Sequence, residues 1–376
     1  MRKPFMYGKP VEGEHFIGRK KEIEQLKNLL QYGTNVVLIS PRRWGKTSLV
    51  NRVSTEIQSN EIKVIQLDAF LCRSEFDFYN AFAAAVLKQT SSKLEEWKQN
   101  AQDFLGRIMP KFSFSPDNMQ EYSVSMGMTS KTHSPEEILN LPEKIAQRKG
   151  WHIIICIDEF QQIGDFPETL AVQKTIRTVW QKQKNVSYLL YGSKKHMMST
   201  LFQQKEKPFY KFGSTLFLTP IPTEEWIPYL CGRFESEGKK LTEELAANIC
   251  QRVENHSSYV QQLAMATLIN TDGPEVTEKE LEAGFNDLLN ECDIIFTEKT
   301  ENLTTYQMNF LRALHDGVTS NFGEANIREK YALGSYSNIS RIKTALIEKE
   351  LIDTKEEGIF FADPLLKYWL RNRLMR

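Results

Sequence analysis

The stretch from Asn35 to Ile57 constrains this chain more than any other. An apolar run, Asn35-Val36-Val37-Leu38-Ile39, passes through Ser40-Pro41-Arg42-Arg43-Trp44-Gly45-Lys46-Thr47-Ser48 into a helical pattern that reaches Ile57. A strand, a short loop ending in Gly-Lys-Thr and a helix fit together when the strand lies in a parallel sheet and the helix packs back across it. Further strand-like runs stand at Lys63–Ala69, His152–Asp158, Val186–Tyr191 and Thr215–Thr219, with amphipathic helical patterns between them. Together with Asn35–Ser40 they predict five core strands of an α/β fold with a mostly parallel sheet. The loop itself is suited to anions, because backbone N–H groups and a helix N-terminus converge on phosphate. Lys46 would add a point charge at the β- and γ-phosphates, and the Thr47 hydroxyl would be a Mg²⁺ ligand. Ser40 stands where the G-x-x-x-x-G-K-[ST] pattern has glycine for a tight turn, so the pattern survives only if Ser40 keeps a negative φ.

A second signal completes the first. Ile153-Ile154-Ile155-Cys156-Ile157 is apolar throughout, as a central parallel strand buried on both faces should be, and it ends in Asp158-Glu159-Phe160. Ligands of open α/β sheets sit at the carboxyl ends of the strands, where these acids fall. Asp158 is then the residue to orient Mg²⁺ and Glu159 the one to polarise an attacking water. The Lys63–Ala69 strand lies between the phosphate loop and the acids in the chain, an arrangement of the P-loop division that uses a catalytic glutamate. Val186–Tyr191 ends in Gly192-Ser193-Lys194, which puts Ser193 beside the γ-phosphate as a hydrogen-bonding sensor.

Other chemistries find no support. Five cysteines, at 72, 156, 231, 250 and 292, are spread without a C-x-x-C pair, and the histidines show no H-E-x-x-H spacing, so neither a disulfide framework nor a zinc site is expected. Lys and Arg number 48 and so do Asp and Glu, which argues against a chain built mainly to coat nucleic acid or an anionic membrane. No apolar run approaches the ~18 residues of a membrane span, and the N-terminus lacks the apolar core of a signal peptide. A soluble, cytoplasmic protein without membrane contact is expected.

Beyond Pro222 the pattern becomes helical, over Thr223–Ser236, Thr242–Val253, Tyr259–Asn270 and Thr277–Asn290. After about Asn302 short helices lead to Leu351–Ala362, which alternates like a hairpin with Gly358 at its turn. A further hairpin is expected as an insertion near 111–131, around Pro116-Asp117-Asn118. The expected domains are 1–222 for the phosphate-loop domain, 223–296 for a helical lid and 297–376 for a third domain.

Taken in order, Phe16-Ile17-Gly18-Arg19-Lys20-Lys21-Glu22, the PRRWGKTSL loop, the Asp158-Glu159-Phe160-Gln161 block and Tyr191-Gly192-Ser193 resemble the archaeal-type ATPases of the STAND class, relatives of AAA+ ATPases. Tyr259-Val260-Gln261-Gln262-Leu263 resembles the lid motif of that group. Phe361-Ala362-Asp363-Pro364-Leu365, with Tyr368-Trp369-Leu370 after it, resembles the end of its C-terminal winged helix. The chain departs from the group at Ser40 and at Asn255-His256-Ser257-Ser258, where relatives carry Gly and Pro.

The resemblance implies a P-loop sheet of AAA+ type with a helical lid and a winged helix after it. It also implies that Ile17, Gly18 and Arg19 lie near the nucleotide base, and that ATP or ADP with Mg²⁺ is bound. The function expected is that of a Mg²⁺-dependent ATPase serving as a nucleotide-controlled switch with an unidentified protein partner. Two alternatives remain: an ATP-dependent DNA-binding or remodelling protein, and a nucleotide-stabilised scaffold with little turnover. On the expected recognition helix, Tyr336–Leu351, Arg341, Lys343 and Lys349 are offset by Glu348 and Glu350. That mixed face suits intramolecular or protein contacts better than DNA, although DNA remains an alternative partner.

Overall fold

The computed structural model describes residues 3–91, 110–113, 123–126, 134–355 and 357–374. The chain divides into two compact units, one formed by Arg19–Thr219 and the other by Met1–Gly18 together with Pro220–Arg376.

The Arg19–Thr219 unit is built on a five-stranded sheet of β1 (Val36–Ile39), β2 (Ile62–Asp68), β5 (His152–Asp158), β6 (Val186–Gly192) and β7 (Ser214–Phe217). Every pairing is parallel, in the order β2-β5-β6-β1-β7. All five strand expectations are met. The strand lying between β1 and β5 in space is β6, whereas the Lys63–Ala69 segment that intervenes in the chain forms β2 at the sheet edge. Consecutive residues of β1, β5 and β6 are buried, so both faces of the central strands are covered, which is why those segments are apolar without alternation.

Helices Lys46–Ile57, Glu75–Thr90 and Thr169–Trp180 supply much of that cover. The second begins with a reciprocal capping box, Ser74 accepting from Asp77 N while the Asp77 carboxylate accepts from Ser74 N. Behind the sheet, Trp180 stacks on Tyr188 with ring centroids 3.9 Å apart, and Phe160, Phe202, Phe209 and Phe212 close round the pair. An antiparallel pair, β3 (Pro110–Ser113) with β4 (Ser123–Met126), stands where a hairpin was expected; the turn at Pro116–Asn118 lies outside the described residues.

The other unit begins with the first eighteen residues, whose Phe5 and Ile17 join a core with Trp226, Leu230 and Phe234. Its helices include Thr223–Ser236, Glu243–Arg252, Ser257–Ile269 and Glu278–Glu291. Thr242 and Thr277 cap the second and fourth of these from outside, as the short hydroxyl side chain favours. The C-terminal region forms helices Thr305–His315, Ala325–Lys330, Tyr336–Glu348 and Leu366–Leu374, with β8 (Ile352–Lys355) paired antiparallel to β9 (Gly358–Phe361). Gly358 is the first residue of β9 and pairs with Lys355, so it flanks the turn and does not form it. A side chain there would run into Thr319 O. The same core continues from the helical segment into this region through Phe285, Phe296, Phe310, Leu346 and Trp369. Two polar ties accompany it: Tyr259 Oη donates to Asp363 Oδ2 (2.7 Å), and Trp369 Nε1 donates to Asp293 Oδ1 (2.7 Å).

Candidate phosphate and metal site

The parallel register brings the ends of β1, β6 and β5 side by side. Ile39 is level with Gly192, and Ile157 with Leu190. The segments leaving these three strand ends therefore converge at one edge: the Ser40–Ser48 loop, Ser193, and Asp158 with Glu159.

The loop turns without glycine at its first position. Ser40 is fully buried, its N–H points to Gly192 O (3.4 Å), its Oγ donates to Pro41 O (3.0 Å), and it is not among the residues of positive φ. The left-handed positions are Arg43 (φ 63°) and Gly45 (φ 86°). Gly45 precedes helix Lys46–Ile57 and has no side chain with which to cap it. The first N–H groups of that helix are thus set for an external acceptor. Pro41 and Trp44 are half-buried, Arg42 and Arg43 exposed, and Ser48 is buried on the helix.

Five side chains meet at this edge. Lys46 Nζ lies 2.7 Å from Asp158 Oδ1 and 2.8 Å from Glu159 Oε1. Thr47 Oγ1 donates to Asp158 Oδ2 at 3.0 Å, and Ser193 Oγ donates to Glu159 Oε2 at 3.0 Å. The Tyr191 ring lies under the ammonium, its centroid 5.6 Å from Nζ.

Two carboxylates thus share one cation in a half-buried place. Burial works against the Lys46 charge, but Asp158 and Glu159 outweigh it and raise its pKa. Burial likewise works against the Glu159 anion, and bonds from Lys46, Gln161 and Ser193 overcome it, so its pKa is lowered. Asp158 takes the other side of the competition. Burial, helped by repulsion from Glu159, lifts its pKa despite Lys46 and Thr47.

The donor set fits Mg²⁺. One carboxylate and one hydroxyl are hard oxygen ligands, and Mg²⁺ is commonly held by one or two protein oxygens with phosphate and water completing its shell. Among the described residues no group of three or more His, Cys, Asp or Glu could hold a metal by itself.

Lys46, Thr47, Asp158, Glu159 and Ser193 are thus brought together as the sequence expects. Arg19 is buried in the same unit, donating to Trp44 O (3.2 Å) and Thr219 O (2.5 Å), so it braces the loop backbone. Ile17 and Gly18 fall in the other unit, where Ile17 joins the core and Gly18 abuts Glu225 and Ile221. Sequence reasoning did not single out Gln161 or Tyr191 as site residues. Gln161 is buried and donates from its amide to Glu159 Oε2. In the sequence it stands only as the last residue of the Asp158-Glu159-Phe160-Gln161 block, with no role assigned to it.

At the departure from the lid motif, Glu254 and Asn255 both adopt left-handed backbone, φ 51° and 55°. That is the conformation glycine takes most easily, and here two non-glycine residues adopt it. His256 then caps helix Ser257–Ile269 by accepting from Tyr259 N.

Comparisons with known proteins agree with this architecture. A family described as an ATPase domain predominantly from Archaea matches residues 16–207, and a family described as a probable winged helix domain matches residues 294–372. The Walker-type ATPase of Pyrococcus abyssi is 15% identical with a TM-score of 0.70, over 98% of this chain and 100% of that one. The ORC2 protein of Aeropyrum pernix, in its ADPNP–ADP complexes, is 15% identical with a TM-score of 0.60, over 100% and 99%. At such identity the likeness is one of fold. No curated protein sequence matches the chain. Among the described residues no helix is long and apolar enough to cross a membrane.

Proposed function

The chain belongs to the family of ATPase domains found predominantly in Archaea, and from that premise we propose that it binds an adenine nucleotide with Mg²⁺, hydrolyses it, and uses the bound state as a conformational switch. One observation carries the reading: Lys46 Nζ stands within hydrogen-bond distance of both Asp158 and Glu159, and Thr47 Oγ1 within that of Asp158. This is a charge-paired resting arrangement whose parts each have a use once phosphate arrives.

A triphosphate in the loop draws Lys46 toward its oxygens, which releases Asp158 Oδ1 and Glu159 Oε1. Asp158 and Thr47 are then the residues to hold Mg²⁺, which supplies charge neutralisation at the phosphates when bound. Glu159 accepts a hydrogen bond from the attacking water and orients it. Ser193, beside Glu159, reports the γ-phosphate. The loop residues Ser40 to Ser48 line the phosphates, and Ile17, Gly18 and Arg19 are proposed for the base side.

Within the P-loop ATPases we assign the chain to the STAND class, as its ordered motifs suggest. For the winged helix, an intramolecular or protein-contact role is favoured over DNA. Tyr259–Asp363 and Trp369–Asp293 tie it into its own unit. Helix Tyr336–Glu348 carries Arg341 and Lys343 but ends in acidic Glu348, and Lys349 and Glu350 follow it, so its charge is mixed.

Glu159→Gln tests the chemistry. It keeps the shape and removes the carboxylate, so ATP binding should persist within about threefold while turnover falls by about 10²-fold or more. Turnover equal to wild type would remove Glu159 from the role.

A further inference from the structure

The two oxygens of Glu159 have different partners. Oε1 faces Lys46 (2.8 Å), whereas Oε2 accepts from Ser193 Oγ (3.0 Å) and from the side-chain amide of Gln161. Gln161 lies in the 3₁₀ turn Phe160–Asp165 that comes after β5, so its side chain doubles back toward the acid two residues earlier. It is only 2% exposed. Its own Oε1 is buried and has no hydrogen-bond partner among the described residues.

That oxygen rests against Gly192. A Cβ on Gly192 would overlap Gln161 Oε1 outright and stand 3.0 Å from Gln161 Cδ and from Met198 Sδ. Gly192 is not in the left-handed region, so its backbone would accept any residue, and what requires glycine there is space. Leaving a buried amide oxygen unpaired costs its full desolvation. A leucine or methionine at 161 would fill the same volume without that penalty. The amide is explained by its N–H groups, which have one charged acceptor, Glu159.

We propose that Gln161 is a positioning residue for Glu159, pinning Oε2 together with Ser193, and that Gly192 is the seat that lets it do so. When Lys46 moves to the phosphates, Oε1 is released while Oε2 stays held. The free oxygen then meets the attacking water in one orientation and does not sweep through several rotamers. This inference rests on the assignment of Glu159 as the water-orienting group.

Four variants test it: Gln161→Ala, the isosteric Gln161→Glu, Gly192→Ala, and the double variant Gln161→Ala with Gly192→Ala. Each single change should lower kcat by about 10- to 100-fold while the dissociation constant for Mg-ATP moves less than about threefold. Gln161→Glu keeps the volume and replaces a donor with an acceptor, so a merely space-filling role predicts wild-type turnover for it. Gly192→Ala acts by displacing Gln161, so the double variant should be no slower than Gln161→Ala alone.

An activity-independent readout is the side-chain amide nitrogen resonance of Gln161, identified by its loss in Gln161→Ala, which should move in Glu159→Gln. Wild-type turnover in Gln161→Glu with Glu159→Gln inactive would overturn the positioning role alone. So would additive losses in the double variant, or an amide resonance indifferent to Glu159→Gln. Wild-type turnover in Glu159→Gln would instead refute the assignment beneath, and this inference with it. Should Gln161→Ala fail to fold, Gln161→Glu and the resonance decide.

Discussion

Replacing Lys46 by methionine keeps most of the side-chain volume and removes the one ammonium that Asp158 and Glu159 share. Those carboxylates are 15% and 19% exposed. Unpairing a fully buried charge costs about 3–5 kcal/mol, and the water that still reaches these two lowers the expectation to about 2–3 kcal/mol. For a unit of this size each kcal/mol moves the melting temperature by about 2–4 °C, so Lys46→Met without nucleotide should melt about 4–12 °C below wild type. The pH dependence has a definite sign. The Glu159 contribution is present above its ordinary 4.5 and is lost as pH falls through the lowered folded value. The Lys46 contribution is complete below its ordinary 10.5 and is lost as pH rises through the raised folded value. The gap between wild type and variant should therefore be widest across neutral pH and close toward both ends. Differential scanning calorimetry over a pH series measures it. ATP with Mg²⁺ at about 100 times its dissociation constant should stabilise wild type by about 2.7 kcal/mol and the variant hardly at all. A variant that melts within about 1 °C of wild type at neutral pH, against the several degrees expected, would refute the shared-cation account.

Further outcomes turn on individual side chains. Burial lowers the His152 pKa against a smaller opposing pull from Glu143, so stability should decline as pH falls below the ordinary 6.5. Denaturant midpoints of wild type should show that slope and His152→Gln should flatten it. Ser40→Gly restores the common first residue of the loop but meets no left-handed backbone, so it should cost about 0.5–1 kcal/mol in melting experiments and leave ATP affinity within about threefold. A tenfold gain in affinity would mean that Ser40 obstructs the phosphates. Duplex DNA should bind the chain weakly, with a shallow salt dependence indifferent to Arg341→Ala plus Lys343→Ala; submicromolar affinity with a steep slope abolished by that pair would make the winged helix a DNA reader.

Most of this design is legible in the residues because its signals are local. Ile153–Ile157 shows by composition alone that it is central, and Gly45-Lys46-Thr47 needs only its neighbours to be recognised. Ser40 could be judged only from its φ, which no residue letter records. The interposed strand escapes a linear reading for a related reason: order in the chain points to β2, while order in space is set by which strands best cover one another, and that puts β6 between β1 and β5. Gln161 and Gly192 both stand in recognisable blocks, but the steric, long-range relation between them leaves no mark in the residue letters. The Tyr259–Asp363 bond, between residues 104 apart in the chain, leaves no periodic trace either.

One unit of this protein is assembled from both sides of the other in the chain. Phe5 and Ile17 belong to a core whose remaining members begin at Ile221, and Met6 N donates to Gln261 Oε1 at 3.1 Å. A ribosome adding about 5–20 residues per second needs roughly 10–40 s to traverse Arg19–Thr219 between them. Throughout that interval the sheet unit can complete itself, while Phe5 and Ile17 wait in solvent as unpaired apolar side chains. The segment holding Phe5 and Ile17 therefore stays sticky for tens of seconds of synthesis, a natural occasion for a chaperone and the moment at which overproduction would feed aggregation.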